Sequence, residues 1–482
     1  MNGLLRLVLP LTLLLTAGCT TLGPDYRVPD AAVAKRTSVA APFMGAAAGI
    51  AANTALPGKW WQLYDDPLLN TLVEQALAAN TDLRIAAANI GRADAALRGV
   101  AHQRAISTGF SGGVEYGRFS GEQYLVMHTL PDGGLYDIGF NAAYQLDLFG
   151  QIKRSIEAAK ADSDASRAAY DVVSITVAAE TARSYAEVCS TGRELEVAQH
   201  ALALQQQALD MAQRLFHGGR AIALDVTRSQ AQLDAWRATI PALQAQQRVA
   251  LYRLTVLTGK PPVEFSPQLA NCTGELKLKA PIPVGDGAAL IKRRPDVRVA
   301  ERALASATAH IGIAMADMYP KIQLGASLGS TGLTDNLFRS DTLRFGLGPL
   351  ISWEFPDREL AKVRIALAKS GQEAALARFD GTVLAALKET ESALTVYSHD
   401  LVRREALQAG HDQLVQAERD AHTLFRLGRE AYLPVLDAQR ALVASEQGLA
   451  EADSKIAADQ ISLFLALGGG WSSDAAPVIT TH

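Results

Sequence analysis

From residue 158 the chain sets a small or apolar side chain at alternating intervals of three and four: Ala158, Ala161, Ala165, Ala168, Val172, Ile175, Ala179, Ala182, Ala186 and Cys189. That spacing keeps one stripe of a helix against a neighbouring helix, as in a coiled-coil seam. A stripe made mostly of alanine requires the two helices to lie close, and Cys189 reads as one more small residue in it. No glycine or proline falls between residues 151 and 191, and a weaker periodicity continues to Phe216. At about 1.5 Å per residue a run of about 65 residues is roughly 100 Å long, too long for a compact domain of this chain. Comparable runs cover 220–258, 357–427 and 430–467, so the helices are expected to be long and antiparallel.

Before each of the two longest runs the period changes to two. Tyr136, Ile138, Phe140, Ala142, Tyr144, Leu146 and Leu148 alternate with Asp137, Gly139, Asn141, Ala143, Gln145 and Asp147. Leu343, Phe345, Leu347, Ile351, Trp353 and Phe355 repeat the arrangement against Arg344, Gly346, Gly348, Ser352 and Glu354. Weaker partners precede them, at Ile106, Phe110, Val114 and Tyr116 and at Ile322, Leu324 and Leu328. These are strands with one greasy and one polar or small face, close to the length of a tilted strand that crosses a bilayer. A soluble sheet with one buried face would alternate in the same way. Rod-like helices offer no layer to cover such a face, which favours lipid. Four strands do not close a barrel around a lumen and a bilayer tolerates no open edge, so several chains must combine. Three would supply twelve strands.

The two sets of elements are copies. An offset of 209 carries Lys160 to Lys369, Glu180-Thr181 to Glu389-Thr390, Leu215-Phe216 to Leu424-Phe425, Gly219-Arg220 to Gly428-Arg429, Leu224 to Leu433 and Gly259 to Gly468. Earlier, an offset of 214 carries Asp82-Leu83-Arg84 to Asp296-Val297-Arg298. Each half is far too long for a solenoid repeat.

The first residues change the picture of where this chain acts. Arg6, the apolar run Leu7 to Leu15 and the small residues ending at Gly18-Cys19 form a signal peptide, too short to span a membrane. Thr16-Ala17-Gly18-Cys19 resembles the lipobox of bacterial lipoproteins, which implies that the Cys19 thiol is acylated and becomes the mature N-terminus. A net charge of −4 gives no basic footprint for nucleic acid. Only Cys189 and Cys272 remain besides Cys19, so no disulfide framework is expected, and whether those two meet is left open. No phosphate-binding loop and no metal-binding spacing of histidines is present, so neither a cofactor nor a metal is expected. The charged residues along the helices read as solvated faces, and no enzyme site is expected.

Several motifs in order carry a family resemblance over nearly the whole mature chain: Gly23-Pro24-Asp25-Tyr26, Trp60-Trp61 with Asp66-Pro67-Leu68, Arg294-Pro295-Asp296, the two helical turns, and Leu467-Gly468-Gly469-Gly470-Trp471. The chain resembles the outer-membrane factors of tripartite efflux and secretion systems, the TolC-like channels, particularly their lipoprotein branch. The resemblance implies a mixed fold. A long antiparallel α-helical barrel is joined to four transmembrane β-strands per chain, closing as a twelve-stranded β-barrel in a homotrimer. It implies partners as well: outer-membrane lipid, a periplasmic adaptor protein and an inner-membrane pump that supplies the energy. The expected division is 1–18 signal peptide, 19–58 lipidated extended segment, 59–268 first helix-strand-strand-helix repeat, 269–285 equatorial linker, 286–471 second repeat and 472–482 tail.

By the same resemblance residues 216–226 and 425–436 are the periplasmic end that meets the adaptor. Gly219, Leu224, Asp225, Gly428, Tyr432 and Leu433 are the contact residues, with the two glycines also expected to cap helices. The stretch Tyr432-Leu433-Pro434-Val435-Leu436-Asp437-Ala438-Gln439-Arg440 matches the family's gate. Leu433, Asp437 and Arg440 share one helix face, and each would form a ring of three in a trimer. The plainer role for Asp437 and Arg440 is an intrahelical surface pair. Export of drugs, solvents or metal ions is the favoured function. A type I protein-secretion duct shares the fold, and a lipid-anchored coiled-coil scaffold without a pore is the third reading, disfavoured by the alternating strands.

Overall fold

The computed structural model describes residues 21–45, 51–52, 56–118, 120–122, 125–130, 132–279, 281–353 and 358–469. The expected signal peptide, the acylation site Cys19 and the residues after Gly469 lie outside them. The first half of the chain contains β1 (Ala51–Ala52), α1 (Pro67–Ala79), α2 (Thr81–Ala101), β2 (Ser107–Gly117), β3 (Gly133–Leu146), α3 (Gln151–His217) and α4 (Ala223–Leu257). The second contains β4 (Ile282–Pro283), α5 (Gly287–Arg293), α6 (Pro295–Ala316), β5 (Lys321–Leu333), β6 (Leu343–Ser352), α7 (Arg358–Arg426) and α8 (Tyr432–Ala466). The duplication is thus explicit: the same order of helices and strands occurs twice. Among the described residues no helix is long and apolar enough to cross a membrane. Two compact units divide the chain.

One unit comprises the described residues of 21–30, 90–166 and 299–379 and is built on an antiparallel sheet of order β2-β3-β5-β6. The register puts Phe110, Phe140, Leu328 and Phe345 opposite one another in a single rung, and all four are exposed in the chain. The next rung, on the other face, reads Ser111, Gly139, Gly329 and Arg344. The alternation therefore carries across all four strands. One face is aromatic and aliphatic; the other is glycine, serine and a few charges. Among the described residues β2 and β6 are the edges, each paired on one side only. Near the tips, the Tyr136 hydroxyl accepts from Phe338 N–H at 3.0 Å and shares hydrogen bonds with Ser330 Oγ at 2.7 Å and Thr342 Oγ1 at 3.0 Å. These bonds draw the β5–β6 connection onto the apolar face.

The alternation running to Leu148 stops sooner in the structure, because Asp147 caps α3. Its carboxylate accepts from Ile152 N–H at 3.0 Å and Lys153 N–H at 2.8 Å. Behind the sheet, the buried Arg154 clasps the Gly23-Pro24-Asp25-Tyr26 segment, donating to Leu22 O and Gly23 O at 2.9 Å each and pairing with Asp25 at 2.9 Å. Gly23 crosses α6 so closely that a Cβ there would stand 2.5 Å from Gly312 Cα. Tyr26 finishes the clasp, its hydroxyl donating to Glu301 at 2.6 Å.

The other unit comprises the described residues of 31–89, 167–298 and 380–469 and holds the turn ends of the two helical hairpins. The chain from Val33 to Gly45 runs along α7, its N–H groups donating to Asp380 and Glu391 at 2.8 to 2.9 Å. Trp60, Trp61 and Tyr64 are buried, and Trp60 stacks on Phe464 of α8 at 4.6 Å between centroids. Two helix ends are spliced in equivalent ways. In the first half Asn80 donates to Leu257 O at 3.3 Å, at the end of α4, and accepts from Asp82 N–H and Leu83 N–H at the start of α2. In the second half the residue 214 positions later, Arg294, donates to Ala466 O at 2.9 Å, at the end of α8, and holds Asp296 at the start of α6 and Glu389 of α7. One splice is neutral and the other ionic.

Cys189 does more than fill the seam. It is disulfide-bonded to Cys272 across 83 residues. The connection after α4 is drawn onto α3 there, and Gln247, buried beneath it, donates to Ala270 O at 3.0 Å. A small side chain at a close helix contact and a cysteine paired with a loop look identical in sequence. Only the folding back of residues 258–272 distinguishes them.

Candidate functional site

Each long hairpin reverses in the same way. Between α3 and α4, Gly219 takes φ +70°, its N–H donating to Phe216 O at 3.0 Å, while Arg220 N–H reaches Leu215 O at 2.8 Å. Between α7 and α8, Gly428 takes φ +67°, its N–H donating to Phe425 O at 3.0 Å, with Arg429 N–H on Leu424 O at 3.0 Å. This is the Schellman cap, which needs a residue at positive φ and hence glycine. A Cβ built at either glycine would meet nothing within 4 Å, so both turns face open space.

Beyond the turns the hairpins differ. Leu224 and Leu433 are equivalent and both half-exposed. Asp225 accepts from Ile222 N–H at 3.4 Å and so caps α4, a local role besides any contact. Tyr432 is partly covered, its ring 5.1 Å from that of Phe425. Burial raises the pKa of its hydroxyl, against a smaller pull from Arg214. Leu433, Asp437 and Arg440 line one cavity of about 530 Å³ together with Tyr432, Phe425 and Asp225. Asp437 meets Arg440 at 3.5 Å along the helix and is 64% exposed, so within one chain this is an open surface pair. Arg440 Nε is buried and has no hydrogen-bond partner among the described residues.

Two further polar residues of this cavity escaped the sequence reading, Arg228 and the buried Ser229, and Arg220, read there only as part of the turn, lines it as well. The signal for Arg228 lay in the repeat itself, since it stands 209 positions before Asp437. The duplicated position carries a cation in one half and a carboxylate in the other. Among the described residues no group of three or more His, Cys, Asp or Glu is placed to hold a metal ion. The arrangement offers charge, an apolar lip and open turns.

Comparison with known proteins is consistent over nearly the whole length. The sequence model of the outer membrane efflux protein family matches residues 72–260 and 288–469. A probable outer membrane lipoprotein, SilC of Salmonella typhimurium, is 27% identical over 97% of this chain and 99% of its own. A solvent efflux pump outer membrane protein, SrpC of Pseudomonas putida, is 28% identical over 96% and 98%. Among solved structures, that of the outer-membrane channel OprN superposes with a TM-score of 0.85 at 32% identity, covering 93% of this chain and 99% of that one.

Proposed function

The chain belongs to the outer membrane efflux protein family, and on that premise we propose that it is the outer-membrane channel subunit of a tripartite efflux pump. It forms a passive homotrimeric duct that carries small molecules from an inner-membrane pump and a periplasmic adaptor to the exterior. The observation that carries this reading is the four-stranded sheet, with its exposed rung Phe110, Phe140, Leu328 and Phe345, its small and polar opposite face, and its two unpaired edges. In water such a face and such edges would aggregate; in a closed barrel the apolar face meets lipid and the edges pair. An eight-stranded barrel from two chains has an interior filled by side chains, so three chains and twelve strands are the smallest assembly with a through-path.

In this reading the turns at Gly219 and Gly428, with Leu224, Asp225, Tyr432 and Leu433, dock the adaptor. Leu433, Asp437 and Arg440 close the periplasmic end, and Arg228 lines the same cavity as Asp437. Acyl chains on Cys19 add an anchor to a protein that its strands already hold. The substrate is a small molecule of the solvent, drug or metal-ion kind, in keeping with the solvent efflux component among the relatives. Purified protein in planar bilayers tests the reading: discrete conductance steps from a heat-dissociable trimer are expected. A monomer that neither inserts nor conducts would refute it.

A further inference from the structure

The polar face of the sheet holds an ion pair whose setting is unusual. Arg344 is the second residue of β6, and its side chain does not stand up from the sheet. It lies across β5 and reaches β3, where Nη2 meets Asp137 Oδ1 at 2.6 Å. On the way Nε donates to Thr331 Oγ1 at 2.9 Å, and that hydroxyl donates in turn to Asp137 Oδ1 at 2.7 Å. Two glycines make the path. A Cβ at Gly329 would lie 3.1 Å from the guanidinium carbon, and one at Gly139 would lie 3.0 Å from Nη2. Gly139 and Gly329 face each other in the register, directly beside Arg344. The guanidinium is thus laid flat on a bed with no side chains, close to the strand tips.

Resting on the duct reading above, this face is the lumen wall, and the strand tips are its outer mouth. We infer that Arg344 and Asp137, bridged by Thr331 and bedded on Gly139 and Gly329, form a neutral collar that determines the ionic selectivity and width of the exit. A long cation standing free at three places around the mouth would narrow it and repel cationic cargo. Pinned to its carboxylate, the same group contributes neither bulk nor net charge. A duct serving cargo of either sign needs such a wall, and here three strands of each chain build it.

The test is ion selectivity of the purified trimer across a potassium chloride gradient. Asp137→Asn frees the cation and is expected to move the reversal potential toward that of chloride. Arg344→Gln frees the carboxylate and should move it toward that of potassium. The double variant should return to the original value. Gly139→Val should lift the guanidinium and lower conductance without changing charge. Each single change is informative alone, so failure of one variant to assemble leaves the other decisive. Variants that assemble as heat-dissociable trimers and conduct with unchanged selectivity would overturn the collar and leave the pair as a cross-strand tie. A parent protein with no conductance at all would instead refute the duct reading beneath it.

Discussion

The two helix splices allow a sharp prediction, because the duplication has already tried an alternative residue at the same place. Arg294→Ala removes the hydrogen bond from a charged donor to Ala466 O, an interaction of about 1.5–3 kcal/mol. It also removes a cation from the C-terminus of α8, about 0.3–1 kcal/mol. Asp296 and Glu389 lose their partner, but they are 34% and 48% exposed, so each contributes at most about 1 kcal/mol. The expected loss is about 3 kcal/mol per protomer. Arg294→Asn should recover about 1 kcal/mol of it, since a neutral amide makes the corresponding bond at Asn80. Urea unfolding in detergent, followed by tryptophan fluorescence, measures this directly, because Trp60 stacks on Phe464 in the same helix end. Identical midpoints for the alanine variant and the parent, or an asparagine variant no better than alanine, would refute the reasoning.

Gly219→Trp and Gly428→Trp should each cost about 1–2 kcal/mol from the positive φ and abolish export while leaving trimers at normal surface level, read by drug susceptibility and heat-modified migration. Loss of the trimer would mean that the turns serve folding alone. Asp437→Ala with Arg440→Ala should raise single-channel conductance and admit vancomycin to cells; an unchanged conductance returns both residues to the intrahelical surface pair seen at 3.5 Å. Burial, then the hydrogen bond and charge of Asp400, raise the Asp459 pKa to about 7, with Lys455 opposing. The folded state therefore keeps a proton that the unfolded chain releases near 3.8, and stability should fall as pH rises from about 4 to about 7. Asp459→Asn should remove that decline, being more stable than the parent at pH 8 and little different at pH 4; parallel pH profiles would count against it.

The long helices and the two-faced strands were legible because each rests on a period that one sequence displays, 3.5 in the alanine seam from Ala158 and 2 from Tyr136. β2 and β5 showed more weakly, since Gly109, Gly112, Gly113, Gly325 and Gly329 dilute the alternation that the register restores. Pro241 sits inside α4 without ending it, although its ring removes a backbone donor from the helix. The turn glycines were legible through the repeat, and the cavity beside them was not, since Ser229 and Arg440 line one cavity only when α4 and α8 come together. The clasp of Arg154 on Gly23 to Tyr26 joins positions about 130 residues apart, with no periodic signal linking them.

The bond between Cys189 and Cys272 makes the first hairpin different in kind from the second. Its loop takes in the lower part of α3, the turn at Gly219 and all of α4, and so forms a covalent ring. The second repeat contains no cysteine, and its two legs are held by side-chain pairs such as Arg404 with Asp453 and Lys455 with Asp400. The legs of the first hairpin are therefore joined covalently at the end away from the turn, whereas those of the second are bridged by ion pairs. Reducing the bond would leave the first hairpin, like the second, bridged by ion pairs such as Arg253 with Glu187.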